Sequence, residues 1–485
     1  MHLQFYGAAG EVTGSCHILR LQGRTVLLDC GLIQGGAEPD ARNREPFPFD
    51  AAHVDAVILS HAHIDHCGRL PLLRQRGFRG PVYATAACRD LARILLADSA
   101  YMAERDAERA NRRNEEGRGG HSQRRDRAHR SGHDRRHGNG PIQPLFTVQD
   151  AAEVIGQFEV VPYGRATEIL PGLHLTFRDA GHILGSASVW LDLREGDVRR
   201  RMVFSGDVGQ YDTPILRDPE GDGQADLVVM ESTYGDRTHR DRAATLDEFG
   251  SILKAAHRGG GNVLIPAFAV GRSQEILYEL AMHFDAWEVG RWQVFLDSPM
   301  AIEASQVYWQ HPELYDAEAS AARRRADHMP ALPNLTLCRT AMESMAINAV
   351  RDGAIIIAGS GMCTGGRIVH HLRLNLPRPE TNVLFSGFQA VGTLGRAIVD
   401  GRTLVRIFGE QVPVRASVHT LGGFSAHGDQ VDLLRWHATL HGKPQTWLVH
   451  GEARGAEGLR EVLAQKGIAA HVARPLQSLD LAALA

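Results

Sequence analysis

The segment SHAHIDHCG, residues 60–68, limits what this chain can be more than any other stretch. It follows directly on the apolar run VDAVIL, and within six residues it presents His61, His63, Asp65 and His66. A continuous strand would alternate these side chains across two faces, whereas a turn at a strand's end can splay them into one cavity. Imidazole and carboxylate together suit Zn2+, with Mn2+ or Fe2+ as alternatives. Four ligand-type residues are more than a mononuclear catalytic site usually takes from one turn, and a two-metal centre accounts for the surplus. Further candidates end other apolar segments: His182 in DAGHILGSA, Asp207 in FSGD and His450 in WLVHGE. Open α/β sheets place their sites at such carboxyl-terminal edges. Read singly, His182 or His450 is more simply a hydrogen-bonded loop residue, in a chain with 25 histidines.

Short apolar segments rich in Val, Ile and Leu recur along the chain and read as buried strands. They are 24–31, 54–66, 173–182, 200–209, 226–235, 261–271, 291–300, 353–362, 381–388 and 445–452. Helical patterns lie between several of them, at 86–110, 243–258, 272–285 and 429–440. This alternation predicts layered α/β architecture with mixed sheets. A length of 485 residues calls for at least two domains.

One segment departs from the pattern. Residues 117–140 hold seven arginines and four histidines against two acids, and read as a mobile, solvated loop that could also contact phosphate. The six cysteines form no CxxC pair, so neither a disulfide framework nor a thiolate zinc knuckle is supported. The start lacks a basic head before a long apolar stretch, and no run of 18 apolar residues occurs. The expectation is a cytoplasmic protein with no membrane span.

The array resembles the metallo-β-lactamase superfamily, and the remaining motifs narrow the resemblance to its β-CASP branch of RNA-processing nucleases. Asp29 in LLDCG matches the first superfamily motif; His61, His63, Asp65 and His66 match the second, His182 the third and Asp207 the fourth. Glu231 in ESTYGD, His427 in FSAHGD and His450 in VHGE match the three β-CASP motifs. ESTYG, PAFAVGRSQE and SGMCTGGR bring it nearest the cleavage-and-polyadenylation type. The resemblance implies an αββα sandwich with an inserted β-CASP α/β domain. It would divide the chain into a split metallo-β-lactamase domain, 1–210 and 405–485, and an insert, 211–404. Residues 111–143 would be a flexible Arg/His-rich insertion.

The resemblance implies two Zn2+ per chain, with Mn2+ as an alternative. His61, His63 and His182 would hold one ion, Asp65, His66 and His450 the other, and Asp207 would bridge them. Asp29 would orient a ligand histidine from behind. The implied activity is two-metal hydrolysis of phosphodiester bonds in single-stranded RNA, exonucleolytic, endonucleolytic or both, with Asp65 and Asp207 in the reacting centre. His427 would protonate the leaving oxygen, oriented by Glu231, because a neighbouring carboxylate keeps an imidazole protonated near neutrality. Arg272, Ser360, Thr364 and Arg367, in glycine-rich turns, would bind the substrate backbone. RNA is implied over DNA because the DNA-directed branch usually lacks histidine at the position of His450. The family also admits a homodimer.

Two other readings stand beside this one. A small-molecule ester or thioester hydrolase of the same superfamily needs neither the insert nor the GRSQE and SGMCTGGR segments. An RNA-binding scaffold subunit with weak or no nuclease activity would not need the complete set of site residues.

Overall fold

The computed structural model describes residues 1–35, 38–119, 141–324, 332–387, 389–390 and 392–484. Each apolar segment named above contains a strand, and the strands assemble into three large sheets. The first has seven strands, in the order Ser478–Asp480, His2–Gly7, Cys16–Leu21, Arg24–Leu28, Ala56–Ile58, Val82–Ala84 and Phe158–Val160. The second also has seven: Ala470–Val472, Gln445–Val449, Leu227–Glu231, Val198–Phe204, Ala187–Glu195, Leu173–Asp179 and Thr167–Leu170.

Period-two alternation makes these two sheets the middle of a sandwich. On Leu227–Glu231, Leu227 and Val229 point inward with Phe5, Leu28, Phe177 and Trp447. Val228 and Met230 point outward, where Leu433, Trp436, Leu459 and Leu463 of two helices cover them. Val57 of the first sheet likewise faces Leu70, Leu91 and Val154 of its own helical layer. The order of layers is therefore helix, sheet, sheet, helix.

The third sheet has six parallel strands: Leu335–Leu337, Gln293–Leu296, Ala354–Ala358, Val263–Pro266, Asn382–Phe385 and Ser417–Thr420. Its inner strands are buried on both faces, as parallel sheets require, while the two edge strands are partly exposed. Val263 and Ile265 pack with the helices Arg242–Arg258 and Arg272–Met282, while Leu264 and Ile356 pack with Arg367–Asn375.

One expectation is corrected. The helix Ala86–Gly119 continues through residues 111–119, where the resemblance implies the start of a flexible insertion. Within this helix, the Asn111 side chain exchanges two hydrogen bonds with the backbone of Ile142, at 2.7 and 2.9 Å. The rest of the Arg/His-rich segment, 120–140, lies outside the described residues.

Candidate metal centre

Strand direction brings the ligand types together. Arg24–Leu28 and Ala56–Ile58 run parallel, so Asp29 and the 60–66 turn leave the first sheet side by side. Val198–Phe204, Leu227–Glu231 and Gln445–Val449 also run parallel, delivering Asp207, Glu231 and His450 to one edge of the second. Leu173–Asp179 runs in the same direction two places away and ends just before His182. Backbone bonds zip the DCG segment along the histidine turn: Cys30 N–H donates to His66 O and Leu32 N–H to Ile64 O, each at 2.8 Å. Gly31 must be glycine here, because a Cβ would collide with the Asp65 carbonyl.

Two groups of side chains form two cation sites in contact with each other. In the first, His63 Nδ1 lies 3.2 Å from His61 Nε2 and 3.0 Å from His182 Nε2. Both Nε2 atoms stand 3.5 Å from Asp207 Oδ2. In the second, His66 Nε2 lies 3.1 Å from His450 Nε2, and Asp65 Oδ2 lies 3.4 Å from the same His450 atom. Asp207 Oδ1 faces this group, 3.3 Å from His66 Nε2.

Hydrogen bonds behind the rings fix which nitrogen faces inward. His182 Nδ1 lies 2.9 Å from the Ala426 carbonyl, which can only accept, so Nδ1 carries the proton and Nε2 keeps its lone pair. His66 Nδ1 is held by Asp29 Oδ2 at 2.7 Å. Ser60 Oγ donates to Asp29 at 3.0 Å and can accept from His61 Nδ1 at 3.1 Å. Thr233 Oγ1 donates to the His450 carbonyl at 3.0 Å, which leaves it to accept from His450 Nδ1 at 3.1 Å. Carboxylate and hydroxyl partners of this kind orient metal-binding imidazoles.

The imidazoles of His61, His66, His182 and His450 thus converge on a carboxylate that is 2% exposed and whose Oδ1 has no hydrogen-bond partner. Burying such atoms together without a counter-charge is unfavourable. Burial holds His61 and His182 well below the usual imidazole range, in the neutral form that binds cations. Burial also acts against a charged His66, yet Asp207 and Asp29 outweigh it and hold this imidazole well above its ordinary range. The carboxylates therefore call for positive charge. Nitrogen and oxygen donors in two adjoining sets fit two Zn2+ or Mn2+ ions.

Beside this cage stands His427. Its Nδ1 lies 3.1 Å from Glu231 Oε2, and the ring centroid is 4.6 Å from that of His182. Glu231 is fully buried and is anchored by the Val208 N–H at 2.6 Å. Burial presses the His427 pKa down, but Glu231 and Asp207 prevail and it is pushed up to about 9. His239 Nε2 donates to the His427 carbonyl at 3.1 Å, and the Tyr234 ring packs edge-on against His239.

The structure thus gathers Asp29, His61, His63, Asp65, His66, His182, Asp207, Glu231, His427 and His450. The four residues expected to bind substrate are not among the donors of this cage. Arg272 is buried, paired with Glu275, its guanidinium 5.4 Å from the Phe424 ring. Ser360 and Thr364 share a hydrogen bond of 3.2 Å at the carboxyl edge of the six-stranded sheet. Arg367 gives Nη1 to Asp297 Oδ1 at 2.6 Å and Nη2 to the Arg339 carbonyl at 2.7 Å. Sequence reading passed over Ser60, Thr233 and His239. The first two lie within the segments SHAHIDHCG and ESTYGD, which is the signal that could have found them.

Three family models match the chain. A beta-lactamase superfamily domain covers residues 24–117, a Beta-Casp domain 273–398, and a Zn-dependent metallo-hydrolase RNA specificity domain 411–473. Ribonuclease TTHA0252 of Thermus thermophilus is 40% identical over 474 residues, covering 98% of both chains. Transcription termination factor FttA of Methanothermobacter thermautotrophicus is 31% identical over 92% of this chain and 66% of its own length. FttA of Thermococcus kodakarensis is 30% identical over 98% of this chain and 70% of its own. A protein of unknown function from Enterococcus faecalis shares the fold, with a TM-score of 0.53 at 11% identity over 99% of each chain. With its cation cage, its sandwich and these relatives, the chain belongs to the β-CASP branch of the metallo-β-lactamase superfamily.

Proposed function

We propose that this protein hydrolyses phosphodiester bonds of single-stranded RNA at a two-metal centre, cutting internally, from an end, or both. One observation carries the reading: Asp207 turns one oxygen to each of two imidazole-rich donor sets, with the His427–Glu231 pair adjoining. The first cation would be held by His61, His63 and His182, the second by Asp65, His66 and His450, and Asp207 would be shared. When bound, such ions polarise a phosphate and make a water nucleophile available at neutral pH.

The chain's own residues do the rest. Asp29, Ser60, Thr233 and the Ala426 carbonyl hold the ligand rings in one tautomer and orientation. Glu231 occupies Nδ1 of His427, so the proton for the leaving oxygen resides on Nε2. Asp65 and Asp207 supply negative charge that leaves the cage receptive to cations yet attractive to a phosphodiester once they are bound. Ser360 and Thr364, with hydroxyls at the edge of the six-stranded sheet, contribute to binding the RNA backbone; Arg272 and Arg367 act by holding the loops beside them.

We also propose that the chain divides into a split domain, roughly 1–210 and 405–485, and an inserted domain, roughly 211–404. Strand pairing favours two domains of this kind but moves both crossings downstream of those bounds. Leu227–Glu231 belongs to the second sandwich sheet and Ser417–Thr420 to the six-stranded sheet, so the crossings follow these two strands. No described helix is long and apolar enough to cross a membrane.

The names of the relatives, a ribonuclease and a transcription termination factor, agree with an RNA substrate. The test uses RNAs labelled separately at each end, incubated with zinc-loaded protein with and without chelator, and matched DNA. Interior fragments or released mononucleotides, abolished by the chelator, are expected. Metal-loaded protein that binds RNA without cutting it would return the scaffold reading. Cleavage of a thioester but not RNA would return the small-molecule one.

A further inference from the structure

We propose that Phe268, lying against the backbone at Gly361, forms a stacking subsite for one unpaired nucleobase of the RNA beside the metal cleft. This rests on the nuclease reading above and extends it to a contact with a base rather than with phosphate.

The argument begins with two loops that leave the six-stranded sheet side by side. Val263–Pro266 and Ala354–Ala358 are parallel neighbours, and Ala267 N–H extends their pairing by donating to Ala358 O at 3.0 Å. The loops that follow carry the segments PAFAVGRSQE and SGMCTGGR, and Phe268 of the first meets Gly361 of the second. A Cβ at Gly361 would stand 2.8 Å from two carbons of the Phe268 ring, closer than side chains tolerate. The glycine is there to let the ring lie on the backbone.

That ring is nevertheless 44% exposed, while Phe5, Phe249 and Phe385 are buried. It is not exposed because its loop is loose. The Phe268 carbonyl accepts from Ser273 Oγ at 2.7 Å, and Gln274 Nε2 donates to the Ala269 carbonyl at 3.0 Å. A large apolar face presented on a loop tied down in this way loses little freedom when a partner arrives.

Location selects the partner. Gly271, three residues on, packs against Ile183, where a Cβ would sit 3.2 Å from Cγ2. Ile183 follows His182 of the cation cage. A strand of RNA whose phosphate reaches that cage therefore passes the Phe268 loop, with the Ser360 and Thr364 hydroxyls alongside. An unpaired base is flat and polarisable, and every base offers such a face, so the subsite favours single strands without selecting a sequence.

The experiment moves a single abasic ribose, position by position from the scissile bond, through a single-stranded RNA cut by zinc-loaded protein. Wild type is expected to show one position where loss of the base raises KM by roughly tenfold. Phe268→Ala should raise KM on intact RNA by a similar factor and lose its sensitivity at that position. Phe268→Trp should restore both. A general folding defect cannot produce this non-additivity. Wild type indifferent to base loss at every position, or Phe268→Ala retaining the full abasic penalty, overturns the subsite. Should Phe268→Ala fail to fold, Phe268→Leu takes its place and the wild-type scan stands by itself. Wild type that loads metal but cuts no RNA overturns the nuclease reading, and the subsite with it.

Discussion

Two buried aspartates, Asp29 and Asp297, are built alike and used differently. Each follows directly on a parallel strand, each is fully buried, and each grips a histidine at 2.7 Å. Asp29 also accepts from Ser15, from the Ser60 hydroxyl and from the Ser60 N–H. Asp297 accepts from Ser344 and Arg367. The difference lies on the far side of the histidine. His66 turns its second nitrogen toward Asp207 and His450, whereas Nδ1 of His371 is buried with no partner. One carboxylate–histidine pair opens onto a cage of donors. The other knots the helices Ala341–Ala346 and Arg367–Asn375 to a strand end and carries its own compensating cation in Arg367. A buried imidazole backed by a carboxylate is thus a ligand only when its free nitrogen has company.

Metal loading offers the largest effect with which to break this comparison. Asp207→Ala should empty both cation sites and lower RNA cleavage by more than about 10^4-fold. Asp297→Ala should leave two ions per chain, measured by elemental analysis of dialysed protein. Loss of metal from the Asp297 variant would erase the distinction.

The next effect concerns the proton donor. His427→Ala should retain both ions while the rate falls by about 10^2- to 10^4-fold. The acid form of His427 is full at neutral pH and is lost as pH rises through a value that tops out at about 9, bound cations drawing it lower. The pH–rate profile should fall on its alkaline side, and Glu231→Gln should move that limb to lower pH.

The two aspartates themselves come third. Asp29→Ala should weaken metal binding by about 10- to 100-fold. Asp297→Ala should instead cost about 3–5 kcal/mol of stability in denaturant, since it leaves the buried His371 and the partly buried Arg367 without their carboxylate. Burial raises the Asp297 pKa, but the His371, Ser344 and Arg367 hydrogen bonds outweigh it and hold the carboxyl below its ordinary range. Its stabilising contribution is therefore present above that range and is lost as pH falls through the depressed value. Asp297→Asn should flatten acid unfolding there. The smallest effect belongs to His239→Ala, which removes one hydrogen bond worth about 0.5–1.5 kcal/mol and should slow cleavage several-fold with metals intact.

The cation cage was legible because its residues cluster in the chain or stand at the ends of apolar runs. His61 to His66 announce themselves by spacing, and Asp207, Glu231 and His450 by ending strands that proved to be parallel neighbours. The fold class followed from the same strands. What stayed hidden depends on partners distant in sequence. Nothing near Asp297 reveals that Arg367 and His371 will fold onto it, so Arg367 read as a phosphate contact when its guanidinium is spent internally. Arg272 differs: its partner Glu275 stands three residues on in the same GRSQE segment, and what stayed hidden was its burial. The nine-residue strand Ala187–Glu195 escaped notice because the charged residues of its second half interrupt the apolar pattern.

The donors of the second cation site come from residue 65 and residue 450, and Asp207 joins them from between. During synthesis, therefore, residue 65 leads its partner at residue 450 by most of the chain. Only when the strand ending at Val449 slots in beside Leu227–Glu231 does the second ion find its last imidazole. The second cation site is thus complete only once residue 450 is in place, so its donors tie the two ends of the chain together.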